Sequence, residues 1–306
     1  MKVCGNGITS NMKDYVVFND SHDLYYTWGN TKDMPLHLQI AKWRRLLEDN
    51  PESDALFFPH PIEEAWKYNC EEAWRTANVR EINLRHKNNR EIILHCFLWN
   101  YKGIEKALDL IKYHGFTAIQ VTPCQGVKGS WDNVEFWKYY QILGLRFYDN
   151  PMGTKEEYIN MIKKANKLGI KVIQDIVLRH VAGDDSGALI PHEDVSNDML
   201  PFIKKNVPEC QNYDNREDYT TLCTGMPIVD WNNSEYQKKC IEFIKELKSY
   251  GVSGLRIDQL KHYKVHSEGC DFLRNVFNQF EDSMLIYGEV IDCPKEINDL
   301  YAGLNY

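Results

Sequence analysis

Length, composition and charge already narrow the class of protein. The chain has 306 residues, of which 43% are hydrophobic and 26% charged, and its formal net charge is -8. This is the composition of a folded protein and not of a disordered one. The acidic balance, without any basic run, argues against nucleic acid as a partner.

Neither a membrane span nor a secretion signal is expected from the sequence. No stretch reaches the ~18 uninterrupted apolar residues of a transmembrane helix, and the first residues lack the apolar segment of a signal peptide. The nine cysteines form no CxxC pair, which favours reduced thiols over a disulfide framework. We therefore expect a soluble, cytoplasmic protein.

Residues 1–90 form a region whose role the sequence leaves open. They contain four of the eight tryptophans, Trp28, Trp43, Trp66 and Trp74. A sugar-stacking surface is one interpretation of these aromatic residues. Core packing of a small helical cap is the favoured one, because helical spacing places Trp66 and Trp74 on a single apolar stripe.

From residue 91 onward, short apolar runs alternate with amphipathic segments, which is the pattern of parallel βα units. Five strands are predicted, at residues 92–97, 117–121, 171–177, 252–257 and 284–290. Helical stripes follow at residues 104–111, 158–165, 240–247 and 273–280, and another helix begins at residue 297. Thr154 with Glu157 predicts a capping box, Ser234 with Gln237 predicts a second one, and Gly251 is expected to end the helix that the latter begins.

A long segment, residues 181–233, separates the third predicted strand from the next helix. Connections longer than ~15 residues are usually functional loops or small subdomains. An insertion at the carboxyl end of a barrel strand lies on the face where such folds carry their active sites. We therefore treat residues 181–233 as a subdomain inserted into a barrel of residues 91–306.

Polar side chains lie at the carboxyl ends of three successive predicted strands. They are Asp175, Arg179, His180, Arg256, Asp258, Lys261, His262 and Glu289. Any one acid could be a helix cap or a loop anchor, but the carboxyl ends of parallel strands meet on one face of a barrel. We expect Asp175, Asp258 and Glu289 to meet around one substrate.

Two carboxyl groups on one face suggest glycoside hydrolysis, in which one attacks the sugar carbon and the other protonates the leaving oxygen. Arg256 lies two residues before Asp258, so the two side chains share one side of the strand, and we expect the guanidinium to hold Asp258 ionised. Glu289 follows an apolar strand, where burial and negative neighbours would raise its pKa as a general acid requires. A plain salt bridge between Arg256 and Asp258 is the structural alternative.

Three segments bring a family into view. QDIVLRH (174–180), GLRIDQLKH (254–262) and GEVID (288–292) resemble, in order and spacing, the α-amylase family of glycoside hydrolases, family 13. The resemblance implies a (β/α)8 barrel of TIM type and retaining hydrolysis or transfer on α-glucans or maltooligosaccharides.

The resemblance also assigns roles to individual residues. Asp258 matches the nucleophile, Glu289 the acid/base and Arg256 the arginine that positions the nucleophile. The substrate-binding residues that it implies are Trp137, Tyr140, Gln141, Asp175, His180, Lys261 and His262. MPIVDWN (226–232) resembles the weaker motif that closes the inserted subdomain.

The chain departs from the family at a metal ligand. The residue before the strand-three histidine is usually an asparagine that binds a structural calcium ion, and here it is Arg179. A guanidinium offers only donors and cannot bind a cation, so the calcium site is doubtful here.

The sequence matches five of the eight expected strands. The family also has an aspartate after strand seven that stabilises the transition state, and we expect this residue and strands six to eight to be missing from these 306 residues. The leading hypothesis is a retaining α-glucan-active enzyme. The alternatives are a truncated, non-catalytic glucan-binding protein, a fragment that needs a partner chain for strands six to eight, and the family's transporter-associated branch, whose members need a membrane anchor.

Overall fold

A computed structural model describes residues 8–9, 93–113, 115–131, 134–290, 297 and 300–301 of the chain. The predictions for residues 1–90, including the tryptophan stripe, lie outside the described residues except for the short strand β1, Ile8–Thr9. Apart from β1, the described part begins at the first predicted parallel strand.

The five predicted strands form one sheet. They are β2 (Ile93–Cys96), β3 (Ala118–Val121), β4 (Lys171–Ile176), β5 (Gly254–Ile257) and β6 (Leu285–Glu289). The sheet order is β1-β6-β5-β4-β3-β2, with β2 to β6 parallel and β1 antiparallel to β6. Strands β2, β3 and β5 are buried along their whole length, as expected for a parallel sheet that is covered on both faces.

Helices connect the parallel strands. They are α1 (Tyr101–Tyr113), α2 (Lys155–Lys167), α3 (Arg216–Thr221), α4 (Ser234–Tyr250) and α5 (Phe272–Phe277). The predicted apolar stripes face the sheet: Ile104, Leu108 and Ile111 of α1 are fully buried. Alternation of helix and parallel strand gives a partial (β/α) barrel, as predicted. No helix in the described ranges has the length and apolar character needed to cross a membrane.

The helix caps are partly as predicted. Thr154 and Glu157 form a reciprocal capping box at the start of α2. The predicted cap of α4 is wrong by one residue: Asn233 is the N-cap, and its side chain accepts hydrogen bonds from the backbone N–H groups of Glu235 and Tyr236. An Asn carbonyl satisfies those donors as well as a Ser hydroxyl does. Gly251 ends α4 at a φ of 102°, in the left-handed region that glycine tolerates.

The inserted segment, residues 181–233, begins after β4, and its two ends lie side by side. The N–H of Val181 donates to the carbonyl of Pro227 at 3.0 Å, and the N–H of Val229 donates to that of Arg179 at 3.0 Å. Between these two crossings lie α3 and a turn of 3-10 helix at Leu200–Phe202. The segment thus stands on the carboxyl edge of the sheet, above the ends of β4 and β5.

Candidate active site

The sheet register brings the first pair of site residues together. Asp175 of β4 is the direct partner of Arg256 of β5 in the parallel ladder. Asp258 follows β5, and Glu289 is the last residue of β6. These acids therefore lie at the carboxyl edge of three adjacent strands, as the sequence predicts.

Arg256 contacts all three acids. Its Nη1 lies 2.8 Å from both carboxylate oxygens of Asp175 and 3.2 Å from Oδ1 of Asp258. Its Nη2 lies 2.6 Å from Oε1 of Glu289. One guanidinium thus holds the two predicted catalytic carboxyl groups and a third acid in one cluster.

Charge within this cluster does not balance, because three carboxyl groups share one buried guanidinium. Burial raises the pKa of Asp175 to about 6, against the opposing effect of Arg256. Burial, and then the charge of Glu289, raise the pKa of Asp258 well above its usual value. The cluster therefore favours a retained proton.

The pKa of Asp258 is raised, whereas the expected effect of Arg256 is to lower it. Arg256 is closer to Asp175 and Glu289 than to Asp258. Its attraction is therefore divided, and desolvation of Asp258 together with repulsion from Glu289 outweighs it. The carboxylates in turn raise the pKa of Arg256 itself, so the guanidinium stays charged.

Tyr140 packs onto the acid cluster, and His180 is hydrogen-bonded to Tyr140. The Tyr140 hydroxyl donates to Oδ2 of Asp175 at 2.9 Å, and the Arg256 guanidinium lies 5.9 Å from the centre of the Tyr140 ring. Burial lowers the pKa of His180 to about 4, so the imidazole is neutral at pH 7. Its Nε2–H donates to the Tyr140 carbonyl at 2.8 Å, which leaves Nδ1 as an acceptor.

His262 belongs to the wall between the sheet and the inserted segment. Its Nδ1–H donates to the carbonyl of Tyr219 in α3 at 2.9 Å, and burial lowers its pKa to about 3. The neighbouring Lys261 is fixed through its backbone, since its carbonyl accepts from Nη1 of Arg216 at 2.8 Å and from the Tyr301 hydroxyl at 3.0 Å. Both residues follow β5, beside the acids.

Trp137 and Gln141 lie on either side of Tyr140 in the sequence. The Trp137 side chain is 36% exposed, and the Lys138 ammonium group lies 5.5 Å from its ring centre. The Gln141 Oε1 and the His180 Nδ1 are buried atoms without a hydrogen-bond partner in the described part of the chain. The Trp137 ring is thus partly open to solvent, whereas Gln141 and His180 each have a buried acceptor atom that no described group uses.

Two residues of the site were not predicted. Gln259 adopts a φ of 52°, and its backbone N–H donates to Oε2 of Glu289 at 3.1 Å. Arg216 of α3 contacts both carboxylate oxygens of Glu268 at 2.6 Å and so fixes the segment after β5. No sequence pattern marks Gln259, because the left-handed conformation of a residue other than glycine is set by its surroundings.

Arg179 lies where the family resemblance places a calcium ligand, and its surroundings do not fit calcium. Calcium takes about six to eight oxygen ligands, whereas the oxygens around Arg179 accept hydrogen bonds from its guanidinium. In the described part of the chain no three His, Cys, Asp or Glu side chains are grouped so that they could hold a metal ion.

Fold and site together define a class of protein. Acids that converge at the carboxyl edge of a parallel strand-helix sheet are typical of (β/α)-barrel enzymes, and paired carboxyl groups of glycoside hydrolases. The family described as alpha amylase, catalytic domain, matches residues 87–301. The chain belongs to the α-amylase family.

Curated relatives agree with this assignment. An alpha-amylase of Clostridium acetobutylicum is 27% identical over an aligned length of 217 residues, and the match covers 68% of this chain and 29% of that protein. An alpha-amylase-related protein of Drosophila auraria is 28% identical over an aligned length of 259 residues, and the match covers 76% of this chain and 51% of that protein. The matches thus span between 29% and 51% of the length of these two relatives.

Solved structures share the fold. Wild-type alpha-amylase I of Eisenia fetida has a TM-score of 0.58 at 21% identity, over 69% of this chain and 47% of that one. An alpha-amylase of Malbranchea cinnamomea has a TM-score of 0.52 at 21% identity, over 66% and 43%. At these identities the likeness concerns the fold alone.

Proposed function

We propose that this chain contributes the nucleophile and the acid/base of a retaining glycoside hydrolase or transglycosylase that acts on α-glucans or maltooligosaccharides. The observation that carries the proposal is the contact of one guanidinium, Arg256, with Asp258, Glu289 and Asp175 at the carboxyl edge of the sheet. Membership of the α-amylase family supports the choice of α-glucans as substrates.

In the first step, Asp258 attacks the anomeric carbon while Glu289 gives its proton to the departing glucosidic oxygen. A bond forms between Asp258 and the sugar, and the old glucosidic bond breaks. This step requires a proton on Glu289 and a carboxylate on Asp258. Once Glu289 is neutral, it no longer repels Asp258, and Arg256 can then stabilise the Asp258 carboxylate.

In the second step, Glu289 takes a proton from an incoming hydroxyl, whose oxygen attacks the anomeric carbon and releases Asp258. Hydrolysis results when the hydroxyl belongs to water, and transfer results when it belongs to another sugar. The same carboxyl group thus serves as acid and then as base.

Substrate contacts follow from the groups around the acids. The free acceptors of Gln141 and His180 can receive hydrogen bonds from sugar hydroxyls, since buried polar atoms are normally paired. The partly exposed Trp137 ring offers an apolar face to sugar C–H groups. Tyr140, Asp175, Lys261 and His262 complete the proposed binding set.

The test separates nucleophile from acid/base by the choice of leaving group. We expect Asp258→Ala to lose activity on maltooligosaccharides and on α-glucosyl fluoride, by on the order of 10⁴-fold, because both need the covalent intermediate. We expect Glu289→Gln to lose about 10²- to 10⁴-fold on maltooligosaccharides but much less on the fluoride, whose departure needs no proton. Reducing ends and released fluoride are measured.

Asp282→Ala is the matched control, because Asp282 is an exposed acid just before β6. Equal rates for Asp258→Ala, Asp282→Ala and the unaltered chain would contradict the proposed nucleophile. Binding of maltooligosaccharide without turnover by the unaltered chain would favour the non-catalytic alternative.

A further inference from the structure

Arg179 is a fully buried arginine outside the acid cluster. It follows β4, one residue before His180, and its exposed fraction is 0%. Burying an ionised group is costly unless its hydrogen-bonding capacity is satisfied, so the contacts of this side chain need an explanation. The proposed catalytic chemistry does not use it.

The partners of Arg179 are neutral oxygens from two separate parts of the chain. From the inserted segment it reaches the carbonyls of Tyr219 at 3.2 Å and Leu222 at 2.7 Å, and the hydroxyl of Thr224 at 3.2 Å. From the segment after β5 it reaches the carbonyl of His262 at 3.3 Å. The guanidinium thus joins β4, the insertion and the end of β5.

The charge of Arg179 also suits its surroundings. Tyr219 belongs to the last turn of α3 and Leu222 directly follows that helix, where unpaired carbonyls carry partial negative charge. The guanidinium carbon lies 5.4 Å from the ring centre of Trp231, at the returning end of the insertion. Carbonyl and hydroxyl oxygens gathered around a positive centre are the kind of environment that a hard cation would otherwise occupy.

We propose that the Arg179 guanidinium is the built-in cation that ties residues 181–233 to the sheet, in place of a bound divalent ion. A metal ion at the same oxygens would meet a positive group and would have to displace four hydrogen bonds. The joint between the insertion and the ends of β4 and β5 is therefore independent of calcium. The joint can be tested independently of the proposed catalysis, because it involves none of the proposed catalytic residues.

The first measurement uses the unaltered chain and follows thermal unfolding in excess EDTA and in excess calcium. We expect the two melting temperatures to agree within about 1 °C, because the joint around Arg179 binds no ion selectively in the folded state. A melting temperature that falls by about 5 °C or more in EDTA and recovers with calcium would overturn the proposal.

The second measurement asks whether Arg179 holds the insertion, by trypsin cleavage at Lys204 and Lys205 inside it. In Arg179→Met the side chain keeps its bulk and loses its donors, and we expect cleavage on the order of 10-fold faster. Lys264→Met is the control, since Lys264, in the segment after β5, forms an ion pair with the exposed Glu217 of α3. We expect its cleavage rate to change by less than about 2-fold.

Equal cleavage of Arg179→Met and the unaltered chain would overturn the role of Arg179. Arg179→Lys keeps the charge without the planar fork, and we expect cleavage between the two extremes. If Arg179→Met does not fold, Arg179→Lys and the EDTA comparison still decide the matter.

Discussion

Arg179 and Arg256 are two buried arginines at the carboxyl ends of neighbouring strands, yet they contact opposite kinds of partner. Arg256 meets three carboxyl groups at 2.6–3.2 Å. Arg179 meets three carbonyls and a hydroxyl at 2.7–3.3 Å. The carboxyl partners of Arg256 can bind and release protons, whereas the carbonyl and hydroxyl partners of Arg179 cannot do so near neutral pH.

This difference shows that the partners of a buried arginine, and not its burial, decide what it can do. Around Arg256 three acids share one positive charge, which favours a retained proton in the cluster that we propose as the catalytic site. Around Arg179 neutral oxygens fix the geometry of backbone segments. Arg256 thus belongs to the proposed catalytic cluster, and Arg179 belongs to the framework around it.

Removing the positive charge of Arg256 from the acid cluster should have the largest effect on the free energy of unfolding. We expect Arg256→Met to lose about 3–5 kcal/mol at pH 7, because the buried Asp175 and Asp258 and the partly buried Glu289 lose their counter-ion. The loss should shrink towards pH 5.5 as Asp175 binds a proton. Urea unfolding at both pH values measures it.

Arg179→Met is the comparison for this pH dependence. Its partners do not titrate, so we expect its loss of stability to be the same at pH 5.5 and pH 7. A loss that shrinks equally at low pH in both variants would remove the distinction between the two arginines.

The second effect is a pH slope carried by Asp175. Its folded-state pKa of about 6 lies above the ordinary value for an unfolded aspartate, so the folded state binds more protons between about pH 4 and 6. Stability from this group is full below about pH 4 and is lost as the pH rises through 6. The shift corresponds to about 3 kcal/mol.

Asp175→Asn tests the slope because it cannot ionise. The free energy of unfolding of the variant minus that of the unaltered chain should rise from pH 4.5 to pH 7.5 in urea unfolding. Arg256, Asp258, Glu289 and Tyr140 remain in place in both proteins. Parallel stability curves for the two proteins would show that Asp175 does not titrate in this range.

The smallest effect is expected at an exposed pair. Lys264 lies 2.7 Å from Glu217, whose side chain is 65% exposed. We expect Lys264→Met to change the free energy of unfolding by less than about 1 kcal/mol, because solvent screens such pairs. A loss as large as that of Arg179→Met would mean that burial and carbonyl partners are not what distinguishes Arg179.

Periodicity was sufficient to predict the five parallel strands of the sheet, but it did not predict the antiparallel strand β1. All five parallel strands occur where apolar runs predicted them, one or two residues shorter, and the Thr154 capping box is present. The cap of α4 was misplaced, because Asn233 and Ser234 are both good N-caps and adjacent. The stripe at 273–280 was also read as one helix, whereas α5 ends at Phe277 and a 3-10 turn follows.

The clustering of the acids with Arg256 was predictable, but Gln259 and the electrostatics of the cluster were not. Strand-end placement was enough to bring Asp175, Arg256, Asp258 and Glu289 together, because parallel strands share one carboxyl edge. Which acid Arg256 approaches most closely depends on the ladder register and on side-chain packing. The pKa of Asp258 is raised, and not lowered as expected, because desolvation and the charge of Glu289 outweigh the attraction of Arg256.

The sequence by itself determined the family, the alternation of strands and helices, and the identity of the acids, since these depend on local patterns and on motif order. Only the tertiary structure decided how charge is shared within the cluster and that Arg179 joins the insertion to the sheet. Pairing between Arg179 and carbonyls 40 to 83 residues away leaves no trace in local sequence. Backbone carbonyls are the same in every residue, so their use as partners becomes visible only in three dimensions.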